Sequence, residues 1–123
     1  MIEEGRPLFL QIAESIEDSI VDGSLPEGAK APSTNELSAF HRINPATAAK
    51  GINLLVDKQV LAKRRGVGMF VTAGARARLL AERRDAFAKD YLAPLLAEAA
   101  RLRLTPDDLI SAIRQRTSES ERK

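Results

Sequence analysis

Apolar side chains recur at helical spacing near the start of the chain. Within residues 7–21 they occupy one stripe: Leu8, Phe9, Ile12, Ala13, Ile16 and Ile20. A stripe of this width predicts an amphipathic helix with one buried face. Residues 23–28 are rich in glycine, serine and proline, and this composition predicts a turn-rich link after the helix.

Two short capped helices are expected next. Ser33 and Glu36 have the spacing of a capping box, in which each side chain bonds the backbone N–H of the other residue. A second helix is therefore expected over residues 33–40. After a short turn, Asn44 is a capping residue, and Pro45 stands at the first helical position, where no N–H is needed. The pattern predicts helix, turn, helix.

The third helix divides into an inward and an outward face. The inward positions are apolar: Ala48, Ile52, Leu55 and Val56. The outward positions are small or polar: Ala46, Thr47, Lys50 and Asn53. Two β-rich segments follow, residues 60–63 and 69–72, around the turn Gly66-Val67-Gly68. They predict a two-stranded wing.

The character of the sequence changes after residue 73, where we place the boundary between a domain at 1–73 and a segment at 74–123. From Ala75 onward the chain is rich in Ala, Leu and Arg, with apolar residues at helical spacing, and predicts a long amphipathic helix. Pro94 has no backbone N–H, so it is expected to kink or break this helix.

A last helix is expected from Pro106, capped by Thr105, with a frayed polar tail from Thr117.

The helices of residues 74–123 are too few to enclose a core, so their apolar side chains need a partner. A second copy of the chain is the simplest partner. Packing on the chain's own first domain is the alternative, and a membrane-surface helix fits the mixed charges less well. The residues expected at the dimer interface are Leu79, Leu80, Phe87, Tyr91, Leu92, Leu95, Leu96, Leu109 and Ile113.

These elements predict a fold that is mainly α with a small β-wing: a winged helix-turn-helix domain followed by a helical dimerisation segment. A chain of 123 residues has no room for a large catalytic domain as well. It contains no Cys and a single histidine, His41, and no nucleophile, base and acid form a recognisable set. We expect no enzymatic activity, no metal and no cofactor.

Charge is unevenly distributed, although the net charge is only +2. Residues 1–41 hold two basic residues against eight acidic ones, whereas residues 42–66 hold six basic residues against Asp57 alone. The basic stretch could bind a polyanion; a solvated basic face is the alternative. No apolar run reaches the length of a membrane span, and the start Met1-Ile2-Glu3-Glu4 lacks the basic residues of a signal peptide. A soluble cytoplasmic protein is expected.

The order of motifs from Pro7 to Val71 resembles the winged helix-turn-helix domain of GntR-type bacterial transcription regulators. The matching segments are Pro7-Leu8-Phe9, Gln11-Ile12, Gly23-Ser24-Leu25, Gly28, Pro32-Ser33, Glu36-Leu37, Asn44-Pro45-Ala46-Thr47 and Arg65-Gly66-Val67-Gly68-Met69-Phe70-Val71. The Asn-Pro-x-Thr turn and the short helical C-terminal segment are similar to the YtrA subfamily. The resemblance implies dimerisation through the C-terminal helices, and subfamily members often control neighbouring ABC transporter genes.

We therefore expect a sequence-specific regulator that binds double-stranded DNA. The expected form is a repressor that binds an inverted-repeat operator as a homodimer and is relieved by a small-molecule effector of unknown identity. The alternative is a winged-helix module that binds other proteins and no specific DNA.

The third helix is expected to enter the major groove, with the wing at the minor groove and the start of the second helix on a phosphate. Plain capping at the second helix and a solvated hairpin are the alternatives. The candidate DNA contacts are Ser33, Thr34, Asn35, Asn44, Pro45, Ala46, Thr47, Lys50, Arg64, Arg65 and Gly66.

Three positions depart from the pattern of the family. Asn35 stands where relatives usually carry an Arg that contacts DNA, so a hydrogen bond can be kept but a phosphate charge pair cannot. Gln59 replaces a usual Gly before the first wing strand. Gly51 replaces a usual Ala inside the third helix, at an expected cost of about 1 kcal/mol in helix propensity.

Overall fold

The computed structural model describes residues 5–121, so the N-terminal residues 1–4 on which the signal-peptide argument rests lie outside the described residues. In the first half of the chain three helices precede a hairpin: α1 (Leu8–Val21), α2 (Thr34–His41), α3 (Pro45–Asp57), β1 (Leu61–Arg64) and β2 (Gly68–Val71). In the second half the chain is helical: α4 (Ala75–Phe87), α5 (Ala93–Arg101) and α6 (Pro106–Glu121), with a π-helical turn (Ala88–Leu92) between α4 and α5. The predicted class, mainly α with a small wing, is confirmed.

The capping box at the start of α2 is present. The Ser33 hydroxyl accepts the Glu36 N–H at 3.1 Å, and the Glu36 carboxylate accepts the Ser33 N–H at 3.1 Å. The helix ends at His41, one residue later than predicted. Arg42 then takes a left-handed conformation (φ 56°), and the reversal is held by the Ser38 hydroxyl, which donates to the Ile43 carbonyl at 2.7 Å.

The start of α3 is also as predicted. The Asn44 side-chain oxygen accepts the Ala46 N–H at 2.8 Å, and Pro45 lies in the first turn. The inward face is confirmed, since Ala48, Ile52 and Leu55 are buried and Val56 packs against the same core. Gly51 is buried on this face because α1 lies close: a Cβ there would stand 2.9 Å from the Phe9 carbonyl oxygen. Gly51 lowers the helix propensity of α3, but the absence of a side chain there allows α1 and α3 to pack closely.

The wing is an antiparallel pair in which Leu61 lies opposite Val71 and Arg64 opposite Gly68. Each strand is shifted by one residue from its predicted bounds. Residues 28–31, which begin at the last residue of the predicted turn-rich link, pair with β2 as well: the Ala31 N–H donates to the Met69 carbonyl at 2.8 Å. The pairing was not predicted because it joins segments about forty residues apart in sequence.

Gln59 precedes the wing with φ 63°. This left-handed conformation is the geometry that a Gly would adopt more easily. The Gln59 carbonyl accepts hydrogen bonds from the Thr72 hydroxyl at 2.7 Å and from Arg78 at 2.6 Å. These bonds hold the backbone in the conformation that the Gln side chain disfavours.

The apolar core is formed by α1, α2, α3, the wing and the first turns of α4. Its buried members are Ile12, Ala13, Ile16, Ile20, Ala31, Leu37, Ala48, Ile52, Leu55, Val60, Leu61, Val71, Ala75 and Leu79. The first compact unit ends at Glu82, beyond the predicted division after residue 73, because α4 supplies two of these core residues. The second unit begins at Arg83.

Glu17 is buried although it is charged, and its carboxylate accepts a hydrogen bond from the Lys58 ammonium at 2.7 Å. Lys58 closes α3 and also contacts Glu82 of α4 at 3.1 Å. Arg76 of α4 donates to the Val21 carbonyl at 3.0 Å. The start of α4 is therefore fastened to α1 and to the end of α3.

The second unit differs from expectation at Pro94 and at its tail. Pro94 was expected to kink or break the helix, and the helix does not break there: Leu92 and Ala93 keep helical dihedrals, and a π-helical turn stands just before the proline. Pro94 lies in the first turn of α5, where proline is tolerated because its missing N–H leaves no bond of that helix unmade. The tail from Thr117 continues α6 to Glu121, and the Thr117 hydroxyl bonds the Ile113 carbonyl at 2.8 Å.

Candidate nucleic-acid interface

The start of α3 is open to solvent. Asn44, Pro45 and Ala46 are exposed, and Thr47 is half-buried. The cap uses the side-chain oxygen of Asn44, so its amide N–H groups stay available as donors. Small side chains at Ala46 and Thr47 permit close approach to a groove edge, where a methyl group can meet a thymine methyl.

The start of α2 offers hydrogen-bond donors. Ser33 and Asn35 are exposed, and Thr34 is half-buried. The Ser33 hydroxyl is used by the cap, because it accepts the Glu36 N–H and also bonds the Glu36 carboxylate. The first backbone N–H groups of a helix have no partner within the helix and favour an anion. Capping at Ser33 and a phosphate contact by the backbone N–H groups that follow it are therefore compatible.

Glu36 belongs to the cap and not to the anion-binding surface. Hydrogen bonds from the backbone and side chain of Ser33 lower the pKa of the Glu36 carboxyl below its usual value. The carboxylate therefore stays charged around neutral pH, and it accepts the Ser33 N–H.

The wing tip is a tight turn. The Val67 N–H donates to the Arg64 carbonyl at 3.0 Å, and Gly66 takes φ 77°, which few other residues adopt without strain. Arg65 is exposed at the tip. Arg64 behaves differently, because its guanidinium lies 4.2 Å from the centre of the Phe70 ring. The two arginines, predicted as a pair, therefore have different surroundings.

Lys50 is exposed but not extended into solvent. Its ammonium lies 4.1 Å from the centre of the Phe9 ring on α1. A cation over an aromatic face at this distance is attracted to the ring. The side chain is thus positioned by α1, which the outward spacing of Lys50 in the sequence could not indicate.

Sequence reasoning missed Lys30. Lys30 lies beside β2. It lines a pocket together with Ser33, Thr34 and Asn35 and with the wing residues Val67 and Gly68. The sequence did offer a signal for Lys30: it is the only Lys or Arg among the acidic residues of positions 7–41, and it stands three positions before the capping residue Ser33.

His41 packs edge-on against Phe40, with ring centres 4.9 Å apart.

Among residues 5–121 no group of His, Asp and Glu side chains has the arrangement of a metal site. Within the same range, no helix combines the length and apolar character needed to cross a membrane.

The residues predicted for dimerisation fall into three groups. Leu79 is 2% exposed and belongs to the core of the first unit, so that prediction is corrected: the side chain already has an apolar partner. Leu80 and Leu109 are half-buried. The remaining predicted residues are large and exposed: Phe87, Tyr91, Leu92, Leu95, Leu96 and Ile113. Phe87 and Tyr91 stack on each other, with ring centres 5.6 Å apart.

Comparison with known proteins identifies a family whose sequence model matches the part of the chain that contains this site. The sequence model of "Bacterial regulatory proteins, gntR family" matches residues 8–71, which run from the start of α1 to the end of β2. The match therefore contains α2, α3 and the wing, where all the candidate DNA contacts lie.

Two proteins of Bacillus subtilis are similar over most of the chain. The HTH-type transcriptional regulator YhcF is 26% identical over 112 residues, which cover 91% of each chain. The HTH-type transcriptional repressor YtrA is 27% identical over 93 residues, covering 76% of this chain and 71% of YtrA. Among solved structures, a transcriptional regulator from Oenococcus oeni has the same fold, with a TM-score of 0.79, 23% identity and 94% of each chain covered.

Proposed function

We propose that this chain, which belongs to the gntR family of bacterial regulatory proteins, represses transcription by binding an inverted-repeat operator as a homodimer. It is a DNA-binding transcription regulator of the YtrA-like kind. The proposal adds the symmetry of the target, the oligomeric state and the direction of control.

The observation that carries the proposal is the open start of α3. A capped helix begins at Asn44, and Ala46 is exposed in its first turn. Helix-turn-helix proteins insert this end of the second helix of the motif into the major groove. Thr47 and Ala46 would then meet base edges, and the start of α2 would rest on the backbone.

The wing extends the proposed contact to the neighbouring groove. Arg65 is exposed at the tip of a hairpin that Gly66 turns sharply. Arginine is favoured in narrow minor grooves, where the negative potential is strongest. Arg65 would therefore prefer A·T-rich sequence beside the half-site.

The homodimer is proposed from the second unit. Several of its large apolar side chains are exposed in the single chain, among them Tyr91 by 68%, Phe87 by 59% and Ile113 by 55%. A group of exposed apolar residues on helices is typical of a protein interface. A two-fold dimer would present two copies of α3, so two half-sites would stand about one helical turn apart and in opposite directions.

Repression is proposed from the similarity to YtrA, which is named as a repressor. Repression follows physically if the operator overlaps a promoter, because bound protein and polymerase would compete for the same DNA. Relief by a small-molecule effector is the remaining part of the proposal, and an effector would be detected as a compound that lowers operator affinity in a gel shift.

Selection of bound fragments from random double-stranded DNA tests the proposal. The expected product is an inverted repeat, bound as a complex that contains two chains, with lower affinity at higher salt. Enrichment of a single unsymmetrical site would contradict the dimeric operator. A protein that shows no salt-sensitive complex with any duplex would instead match the protein-binding alternative.

A further inference from the structure

Lys30 lies between the two parts of the proposed interface that approach the DNA backbone. The chain around it pairs with β2, since Lys30 bridges Phe70 and the Val71 N–H donates to the Ala29 carbonyl at 3.0 Å. This pairing fixes the backbone of Lys30 against the wing. The position of the lysine is therefore set by the sheet and not by a free loop.

The side chain crosses the wing strand at Gly68. A Cβ on Gly68 would lie 2.9 Å from the Lys30 Cε and 3.8 Å from its Nζ. The absence of a side chain at Gly68 thus leaves room for the lysine stem, and the ammonium lies beside the wing at Gly68.

The same side chain faces the start of α2 across the pocket that it shares with Ser33, Thr34 and Asn35. Two hydrogen bonds from Ser33 lower the pKa of the Glu36 carboxyl most. Lys30 lies near enough for its charge to lower this pKa further, by a smaller amount. In the part of the chain that the structure describes, Lys30 forms no ion pair. Its charge is available to a ligand.

We propose that Lys30 is a phosphate-contacting residue of the DNA interface, supplying the positive charge between the start of α2 and the wing. Asn35, the neighbouring side chain of the pocket, can donate a hydrogen bond but carries no charge. Phosphate contacts fix register and orientation on the duplex and carry no base information. Lys30 therefore raises affinity for all DNA sequences alike. The inference rests on the proposed function.

The test compares the wild-type protein with Lys30→Gln on a selected operator and on an unrelated duplex, from about 50 to 200 mM salt. Lys30→Gln should weaken binding to both duplexes by a similar factor. The slope of log affinity against log salt should fall by about one unit per chain, or about two for a dimer. Melting temperature should not change, because the side chain is exposed.

Three variants serve as controls. Lys30→Arg keeps the charge and should keep the slope. Asn35→Arg combined with Lys30→Gln returns a cation to the same pocket and should restore the slope. Lys89→Gln removes an exposed lysine of the second unit and should leave the slope unchanged.

A wild-type slope in Lys30→Gln, with normal operator binding, would overturn the role of Lys30 and leave the proposed function intact. Loss of discrimination between the two duplexes would also overturn it, since that result would mark Lys30 as a base contact. No salt-sensitive binding by the wild-type protein would overturn the proposed function, and the role of Lys30 with it.

Discussion

At the scale of single residues, the cations of the candidate interface are of two kinds. Some already contact an aromatic ring of the same chain, and others are surrounded by solvent. Arg64 and Lys50 lie on the rings of Phe70 and Phe9, whereas Arg65 has solvent around it. Cation–ring contacts at exposed sites contribute about 0.5–1 kcal/mol. Substitution of the residues that contact a ring would therefore change both stability and binding, and Arg65 gives the cleaner test.

Arg65→Ala is expected to weaken binding to every duplex, and most strongly to sites with A·T-rich flanks, because it removes the cation proposed for the minor groove. Its melting temperature should match that of the wild type, since an exposed charge at a turn contributes little to folding. Gel shifts on two operators that differ only in their flanks, with thermal unfolding, measure both quantities.

Arg64→Ala is the matched control, and it should lower the melting temperature slightly because the contact with Phe70 is lost. A marked loss of stability in Arg65→Ala would show instead that Arg65 has a structural role.

At the scale of elements, α1, α3 and α4 are joined by a cluster of three charges at Lys58. Glu17 is buried, and its charge is matched by the Lys58 ammonium at 2.7 Å. Burial lowers the pKa of Lys58, but hydrogen bonds and charge from Glu17 and Glu82 raise it by more, so that the net pKa lies above its ordinary value of 10.5. The cluster therefore stabilises the charged lysine.

Lys58→Met should lower the free energy of unfolding by about 1–2 kcal/mol at neutral pH, because the Glu17 carboxylate loses its partner. The contribution of a lysine with a raised pKa is complete below its unfolded-state value and is lost as pH rises through its folded-state value. From neutral pH upward, the difference between wild type and variant, from urea unfolding, should therefore shrink only above pH 10.5.

Glu82→Gln serves as the control for this cluster. Its carboxylate is largely exposed, so the substitution should cost little. A difference between wild type and Lys58→Met that disappears near neutral pH would contradict the account of the cluster.

The sequence was most informative where structure is decided locally. The Ser33 and Asn44 caps depend on residues within three positions, and the inward face of α3 follows from its spacing, so both could be predicted. The pairing of Lys30 with Phe70 and the stacking of Lys50 on Phe9 join distant segments. Such contacts depend on tertiary packing, which spacing alone does not encode.

Leu79 shows the same limit for an apolar residue. Its helical spacing marks it as buried, but spacing cannot distinguish a partner in the same chain from one in a second copy. In the structure the partner is the core of the first unit.

At the scale of the whole molecule, the proposed division of labour assigns DNA binding to the first unit and dimerisation to the second. A chain ending at Glu82 keeps the core residues of α4, whereas one ending at Thr72 would lose them. The fragment of residues 1–82 should therefore fold and sediment as a monomer, while the full chain sediments as a dimer at micromolar concentration.

A substitution in the full chain checks the same assignment without truncation. Leu96→Glu places a charge on an exposed apolar position of α5 and should shift the full chain toward the monomer. A dimeric 1–82 fragment would show that the interface lies in the first unit.

Operator affinity of Thr47→Ala is the most direct test of the central claim, that the start of α3 reads the operator. The substitution removes a hydroxyl at a half-buried helical position and leaves the fold in place. We predict an unchanged melting temperature and a loss of about 1 kcal/mol or more in binding to the selected operator, with little change on unrelated DNA. Wild-type affinity and wild-type discrimination in Thr47→Ala would contradict the account.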